Sequence, residues 1–227
     1  MIASLAVCAA VIAAFLLARR LAARGNHHPL LNPILLAAAL VGLGLWAVGL
    51  PLDRFAELSR PLRWLLGPAI VALGHLIWAQ RAALKAGAAP LLVAIGVGSL
   101  TGITSAVSLA RYLQLDTTLQ HALAPKSATS PFAIALMEHL GGSPELAAGL
   151  VIVTGIVGAI LLPPLLKRLR LDDAETLGVA VGQAAHIVGT DALGRRDAKA
   201  AAFSGLAMAL AGLATSFLLP LLWGWLI

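Results

Sequence analysis

HALAPKSATSPFAIALMEHLGG, residues 121–142, and LGVAVGQAAHIVGTDALG, residues 177–194, decide how this sequence is read. Both lie in apolar surroundings, yet neither fits a simple membrane-crossing helix. In the first, Pro125 and Pro131 enclose Lys126, Ser127, Thr129 and Ser130. Proline has no N–H to donate and clashes with the preceding helical turn. The second is rich in Gly and Ala and carries Gln183, His186, Thr190 and Asp191. Each reads as two short helices meeting at a polar, non-helical tip.

Around these two segments the chain is made of apolar stretches. Residues 2–18, 31–50, 88–110, 146–166 and 200–225 contain no Asp, Glu, Lys or Arg. A shorter stretch, 64–80, contains Gly67–Pro68, so its helix kinks or starts there. Of 227 residues, 60% are hydrophobic and 11% charged, against about 25% charged in a soluble domain. The mean hydropathy is +0.93. At about 20 residues per span the chain has room for roughly seven or eight membrane-associated segments, with almost nothing left for a soluble domain. The expected fold is therefore all-α: a polytopic membrane protein of about six transmembrane helices plus two broken or re-entrant segments. We read residues 1–227 as one membrane domain, with peripheral helices in 1–62 and a core in 63–227 that holds both broken segments.

The net charge of +6 does not indicate nucleic acid as a partner, because the basic residues form short clusters between apolar stretches, as in cytoplasmic loops of membrane proteins. Cys8 is the single cysteine and reads as a small hydrophobe. In the first segment the positive charges follow the apolar region, at Arg19, Arg20 and Arg24. A secretory signal has them in front, so this segment reads as a retained helix with its N-terminus outside.

Charge placement also chooses between crossing and re-entry. If both broken segments dip in and return, the loops after 18, 80, 166 and 194 share one side and hold eleven Lys or Arg, against four in the other loops (Arg54, Arg60, Arg63 and Arg111). If both cross, the split is eight against seven. Basic residues concentrate on the cytoplasmic side, which favours re-entry. The two segments then approach the midplane from opposite faces, as in an inverted-repeat transporter whose site lies where broken helices meet. The two segments have no clear sequence identity, so the repeat is structural.

Lys126 is the sharpest chemical feature. A charge at the bilayer centre costs roughly 2.5–3.5 kcal/mol on insertion scales, so a lysine held there needs a partner such as a small anion. The hydroxyls of Ser127, Thr129 and Ser130 and the helix start near Pro131 would add donors. The plainer alternative is a lysine on an outer loop that snorkels to water. His186 either titrates near neutral pH or serves as a structural hydrogen-bonding group. Thr190, after Gly189, offers a hydroxyl and a bare backbone N–H at a tip. Asp191 pairs with Lys126 or, on the preferred reading, with Arg195. Gln183 is explained equally by helix–helix hydrogen bonding and by ligand contact. His75 reads as structural, Glu138 and His139 as a solvated helix end, and the adjacent His27 and His28 as weak metal ligands. Gly96, Gly98, Gly102, Gly155 and Gly158 allow close helix packing, in a bundle or at a homodimer face. No nucleophile elbow, phosphate loop or zinc-protease motif is present, so neither an enzyme nor a cofactor is expected.

LLGPAIVAL (65–73), LAPKSATSPFAIAL (123–136), VTGIVGAILLPPLL (153–166), GQAAHIVGT (182–190) and AFSGLAMALAG (202–212) together resemble the LrgB/CidB family. The resemblance runs from Asn32–Pro33 to about Leu222, and Asn32 joins Gln183 and Asp191 as an additional candidate. Ala128, Ile187 and Asp191 depart from the pattern, the last two within the second broken segment. The resemblance implies one of two functions. One is transport of small monocarboxylates of the pyruvate, glycolate or glycerate type, in line with the plastid glycolate/glycerate carrier. The other is holin–antiholin-like control of murein hydrolase activity and lysis, with an LrgA/CidA-type membrane partner. Both imply a bacterial inner membrane location. On the first, Lys126 neutralises the carboxylate, Ser127, Thr129 and Ser130 orient it, and His186, Gly189 and Thr190 face it from the second segment.

Overall fold

The computed structural model describes residues 2–24 and 31–226; His27 and His28 lie outside the described residues. The described residues are helical apart from turns and short connections, with no strand among them. The chain forms two compact units, divided between Ala69 and Ile70.

In the first unit, α1 (Ile2–Arg24) packs against α2 (Pro33–Val48) and α3 (Leu52–Leu58). Small residues make the approach close: Cys8, Ala18 and Ala22 are the buried positions of α1. Ser4 Oγ donates to the Leu58 carbonyl at 2.6 Å. The Asn32 side chain caps α2 by accepting from Ile34 N at 2.8 Å, with Pro33 opening the helix. Gly49 ends α2 in the left-handed conformation (φ 64°), and α3 leaves at 115° to it. After α4 (Arg60–Arg63), α5 (Leu66–Ala79) starts at Gly67–Pro68, as expected, and runs into the second unit.

The second unit holds α6 (Arg81–Ala86), α7 (Ala88–Tyr112), α8 (Thr117–Leu123), α9 (Ser130–Leu140), α10 (Pro144–Arg168), α11 (Ala174–Gly194) and α12 (Ala198–Leu226). Helices α7 and α10 have 25 residues each, roughly 37 Å at 1.5 Å per residue, enough for a hydrocarbon core of about 30 Å. Among the described residues, five helical stretches are long and apolar enough to cross a membrane, and the bent pair α2–α3 makes six if it counts as one span. These are the spans expected from the sequence, and the chain is a multi-pass, all-helical membrane protein.

Both broken segments are broken in the structure. The first is a helical hairpin, α8 and α9, joined by a non-helical tip at Ala124–Thr129. Gly141 ends α9 in the left-handed conformation (φ 78°), and Ser143 caps α10 through Leu146 N. The second lies inside α11, where His186 has φ 50° and ψ −139°, far from helical values. The chain folds back at that residue. In a straight helix Val181 and Gly189 would stand about 12 Å apart, yet a Cβ on Gly189 would strike the Val181 side chain. Gly182 and Thr190, equally far apart in sequence, both meet Ser204 of α12.

Helix α12 fixes the direction in which each hairpin enters. Near its start, Lys199 Nζ lies 2.9 Å from Glu175 Oε1 at the base of the second hairpin. At its middle, Gly212 faces the Phe132 ring just beyond the first tip. Near its end, Trp223 meets His121 edge-on, 5.0 Å between centroids, in the first arm of the first hairpin. The two hairpins therefore enter from opposite ends of α12 and bring their tips toward its middle. A core of Ile103, Val107, Ala133, Met137, Val151 and Leu219 holds the first hairpin among α7, α10 and α12. A smaller cluster, Val181, Ala185, Leu193 and Ala200, holds the second.

Candidate functional site

The first tip is a run of tight turns. Lys126 N donates to the Leu123 carbonyl at 3.1 Å and Ala128 N to the Pro125 carbonyl at 2.8 Å. Pro125 and Pro131 stand at either end of the tip and contribute no N–H of their own. Thr129 is extended (ψ 157°) at the N-cap of α9, but its hydroxyl makes no cap hydrogen bond. That hydroxyl is buried with no partner among protein atoms. Ser130 opens α9 and is half-buried. Half-buried too, Lys126 reaches Ser127 Oγ at 3.3 Å.

The second tip is a single residue. His186 is 1% exposed, and neither ring nitrogen completes a hydrogen bond. Its ring lies against the Ser127 backbone and within electrostatic reach of the Lys126 amine. The two broken segments thus meet, and the residues that meet are Lys126, Ser127 and His186. Burying polar atoms without partners is unfavourable. The imidazole nitrogens and the Thr129 hydroxyl are polar groups buried without a protein hydrogen-bond partner at the two tips.

The middle of the unit is where they meet. A Cβ on Gly102, near the middle of α7, would come 2.7 Å from Ser127 Oγ. Near the middle of α10, Gly155 and Gly158 lie under the second tip, where a Cβ would come 3.1 Å and 2.8 Å from the Ala185 and Ala184 carbonyls. Bare glycine surface lets both tips reach the middle of the unit, with the Ser127 hydroxyl of the first and the carbonyls of the second resting where a side chain would otherwise stand. Gly96, on the same helix as Gly98 and Gly102, meets nothing within 4 Å.

The other sequence candidates take different places. Thr190 lies one turn past the break, its hydroxyl bonded to the His186 carbonyl and to Ser204 Oγ, both at 2.7 Å. It braces the tip, and the bend falls at His186 instead of at Gly189–Thr190. Gly189 packs inside the hairpin against Val181 and Ala185. Gln183 Nε2 donates to Ser99 Oγ at 3.0 Å and lies 3.4 Å from the Ile95 carbonyl, a helix–helix link to α7. Asp191 pairs with Arg195 at 2.7 Å on an exposed face. Asn32 caps α2 in the first unit. His75 is exposed on α5, and Glu138 and His139 are exposed on the last turn of α9. Sequence reading passed over Ser99 and Ser204, both fully buried. Serine in an apolar helix commonly bonds its own preceding carbonyls, so neither stood out; the only signal was a serine beside a glycine, in Gly98–Ser99 and Ser204–Gly205.

Each hairpin starts on an aspartate cap at its own end of the unit. Asp116 accepts from Thr118 N at 3.1 Å and Asp173 from Thr176 N at 3.0 Å. The Thr118 hydroxyl and amide hold the Asp116 carboxyl below its ordinary value, and the Thr176 amide and hydroxyl do the same for Asp173.

Comparison with known proteins places this architecture. Residues 11–225 match the LrgB-like family. The uncharacterized protein YwbG of Bacillus subtilis is 32% identical over 192 residues, covering 84% of this chain and 85% of YwbG. The plastidal glycolate/glycerate translocator 1 of Arabidopsis thaliana is 30% identical over 154 residues, covering 67% of this chain and 30% of the translocator. The holin-like protein CidB of Staphylococcus aureus is 24% identical over 195 residues, covering 86% of this chain and 85% of CidB. No solved structure matches. The chain belongs to the LrgB-like family.

Proposed function

We propose that this LrgB-like chain carries small monocarboxylates of the pyruvate, glycolate or glycerate type across the bacterial inner membrane, by alternating access around the two opposed tips. The observation that carries this reading is the approach of Lys126 to His186 near the middle of the second unit, with the His186 nitrogens and the Thr129 hydroxyl left without partners. Lys126 neutralises the carboxylate, and Ser127, Thr129 and the open start of α9 at Ser130 orient it. His186 donates from the opposite tip. Gly189 and Thr190 act behind His186, by packing and bracing the second hairpin. The likeness to a glycolate/glycerate translocator over 67% of the chain supports the substrate class.

The basic residues supply the orientation. Lys167, Arg168, Arg195 and Arg196 lie at the end from which the second hairpin enters, which supports a cytoplasmic placement of that end, and the arginines that follow the first apolar stretch support an external N-terminus. Flux of labelled pyruvate, glycolate and glycerate into proteoliposomes tests the whole reading. Lys126→Ala is expected to lower flux at least about 30-fold while the protein remains monodisperse, since removing one partner of a buried charge pair costs roughly 2–5 kcal/mol. Undiminished flux in that variant removes Lys126 from the site.

A second reading is favoured by the likeness to holin-like CidB, which covers 86% of the chain. On it the chain regulates murein hydrolase activity with an LrgA/CidA-type partner, alone or as a homodimer. It requires an effect on autolysis that survives Lys126→Ala and depends on a co-expressed membrane partner.

A further inference from the structure

A cavity of about 630 Å³ opens between α7, the first arm of α11 and the start of α12. Its walls are apolar: Pro90, Leu91 and Ala94 on one side, Val179 and Ala180 on the other, with Phe203 from α12. Glu175, at the base of the second hairpin, stands at its outer end, paired with Lys199. On α11 the lining residues advance inward turn by turn from Glu175 to Gln183, the innermost of them. Beyond Gln183 lie the tips. Three residues on is His186, and on α7 the next turn after Gly98, which Gln183 covers, presents Gly102 to Ser127. One helical turn is about 5.4 Å, so a single side chain separates the cavity from the site.

That side chain is a link. Gln183 Nε2 joins α11 to α7 through Ser99 Oγ, while Gln183 Oε1 is buried with no partner. A carboxamide with its oxygen unsatisfied is held by two hydrogen bonds, to Ser99 Oγ and to the Ile95 carbonyl at 3.4 Å, each worth about 1 kcal/mol. Its removal from the path therefore requires little work.

We propose that the cavity is the cytoplasmic half of the permeation path and that Gln183 is its inner gate, closed in this structure by its bonds to Ser99 Oγ and the Ile95 carbonyl. The proposal rests on the transport reading for the identity of what passes, though not for the barrier itself. Cys8 is the only cysteine in the sequence, so a Cys8→Ala background permits single reporter thiols. Ala94→Cys and Ala180→Cys place them in the cavity, and Ser127→Cys places one beyond the gate. A membrane-impermeant maleimide is added to each side of vesicles of known orientation. Ala94→Cys and Ala180→Cys are expected to react from the cytoplasmic side alone. Ser127→Cys is expected to react about tenfold more slowly from that side, and Gln183→Ala is expected to remove most of that difference, because the rate reads the open population.

Ser99→Ala removes the shorter of the two bonds from α7 and serves as the second opening variant if Gln183→Ala does not assemble. A Ser127→Cys rate insensitive to both variants overturns the gate, as does a cavity thiol unreactive from the cytoplasmic side. If labelling follows the expected pattern while no carboxylate moves, the gate stands and the transport reading falls. If carboxylate moves and Ser127→Cys ignores Gln183, transport stands and the gate falls.

Discussion

The two hairpins reach the same depth by different means. The first breaks over six residues, Ala124–Thr129, with a proline at position 125 and another at 131. Neither proline can donate to a preceding carbonyl, and each crowds the turn before it, so the pair disfavours a continuous helix through this stretch. The second breaks at one residue that is neither proline nor glycine. His186 sits at φ 50°, ψ −139°, a region that costs a residue with a Cβ about 1–3 kcal/mol. Nothing in its immediate sequence requires that. The bend is held by neighbours: the Ala184 and Ala185 carbonyls rest on Gly158 and Gly155, and the Thr190 hydroxyl joins the His186 carbonyl to Ser204. One tip is favoured by its own residues and the other is held by its surroundings. The strained one is the tip that aims a single side chain at Lys126.

This difference is testable, starting where the surroundings matter most. A Cβ on Gly182 would collide with the Ser204 backbone carbonyl. Gly182→Val should therefore displace the second hairpin and cost about 3 kcal/mol or more, read as loss of monodisperse protein. Gly96→Ala, in open space, should leave the yield unchanged. Next is the strain itself. His186→Gly and His186→Ala both remove the imidazole, but glycine tolerates positive φ. His186→Gly should be the more stable of the two by about 1 kcal/mol, seen as a higher melting temperature in detergent. An equal or lower value would mean that the bend carries no strain.

Smaller still is the brace. Thr190→Val keeps the shape and removes both hydroxyl bonds, at about 1 kcal/mol. Hydrogen exchange should quicken in residues 187–194 and stay unchanged in residues 130–140. The smallest effect is at the hairpin entrances. Asp116 and Asp173 have carboxyls held below the ordinary value. Their contribution is complete above the unfolded-state pKa and is lost as pH falls through the lower folded value. Protection of the Thr118 and Thr176 amides should be constant from neutral pH to about pH 5 and should fall only in strong acid, to a similar degree in both hairpins. Loss of protection near neutrality would exclude carboxylate capping as the cause.

Lys126 shows how much the first hairpin declares itself. A lysine between two prolines inside an apolar stretch is anomalous in any reading, and the structure puts it on a tip. Asp191 was equally legible, because an arginine four residues on is its natural helical partner. The position of the second break was not. Gly189–Thr190 offered the more flexible backbone, yet the chain turns at His186, since glycine at 189 is used for packing against Val181. Ser99 and Ser204 were illegible for a related reason: their partners, Gln183 and Thr190, are 84 and 14 residues away.

Composition, the absence of charge from the long apolar stretches and the polar, proline- and glycine-bearing interruptions determined by themselves that the chain is a helical membrane protein with two broken segments. These follow from the cost of exposing charge and backbone to lipid, which acts residue by residue. The meeting of the two tips was decided by tertiary structure alone. It depends on glycines of α7 and α10 that leave room for a tip, and on the length of α12, which takes one hairpin at each end. No local sequence rule contains that distance.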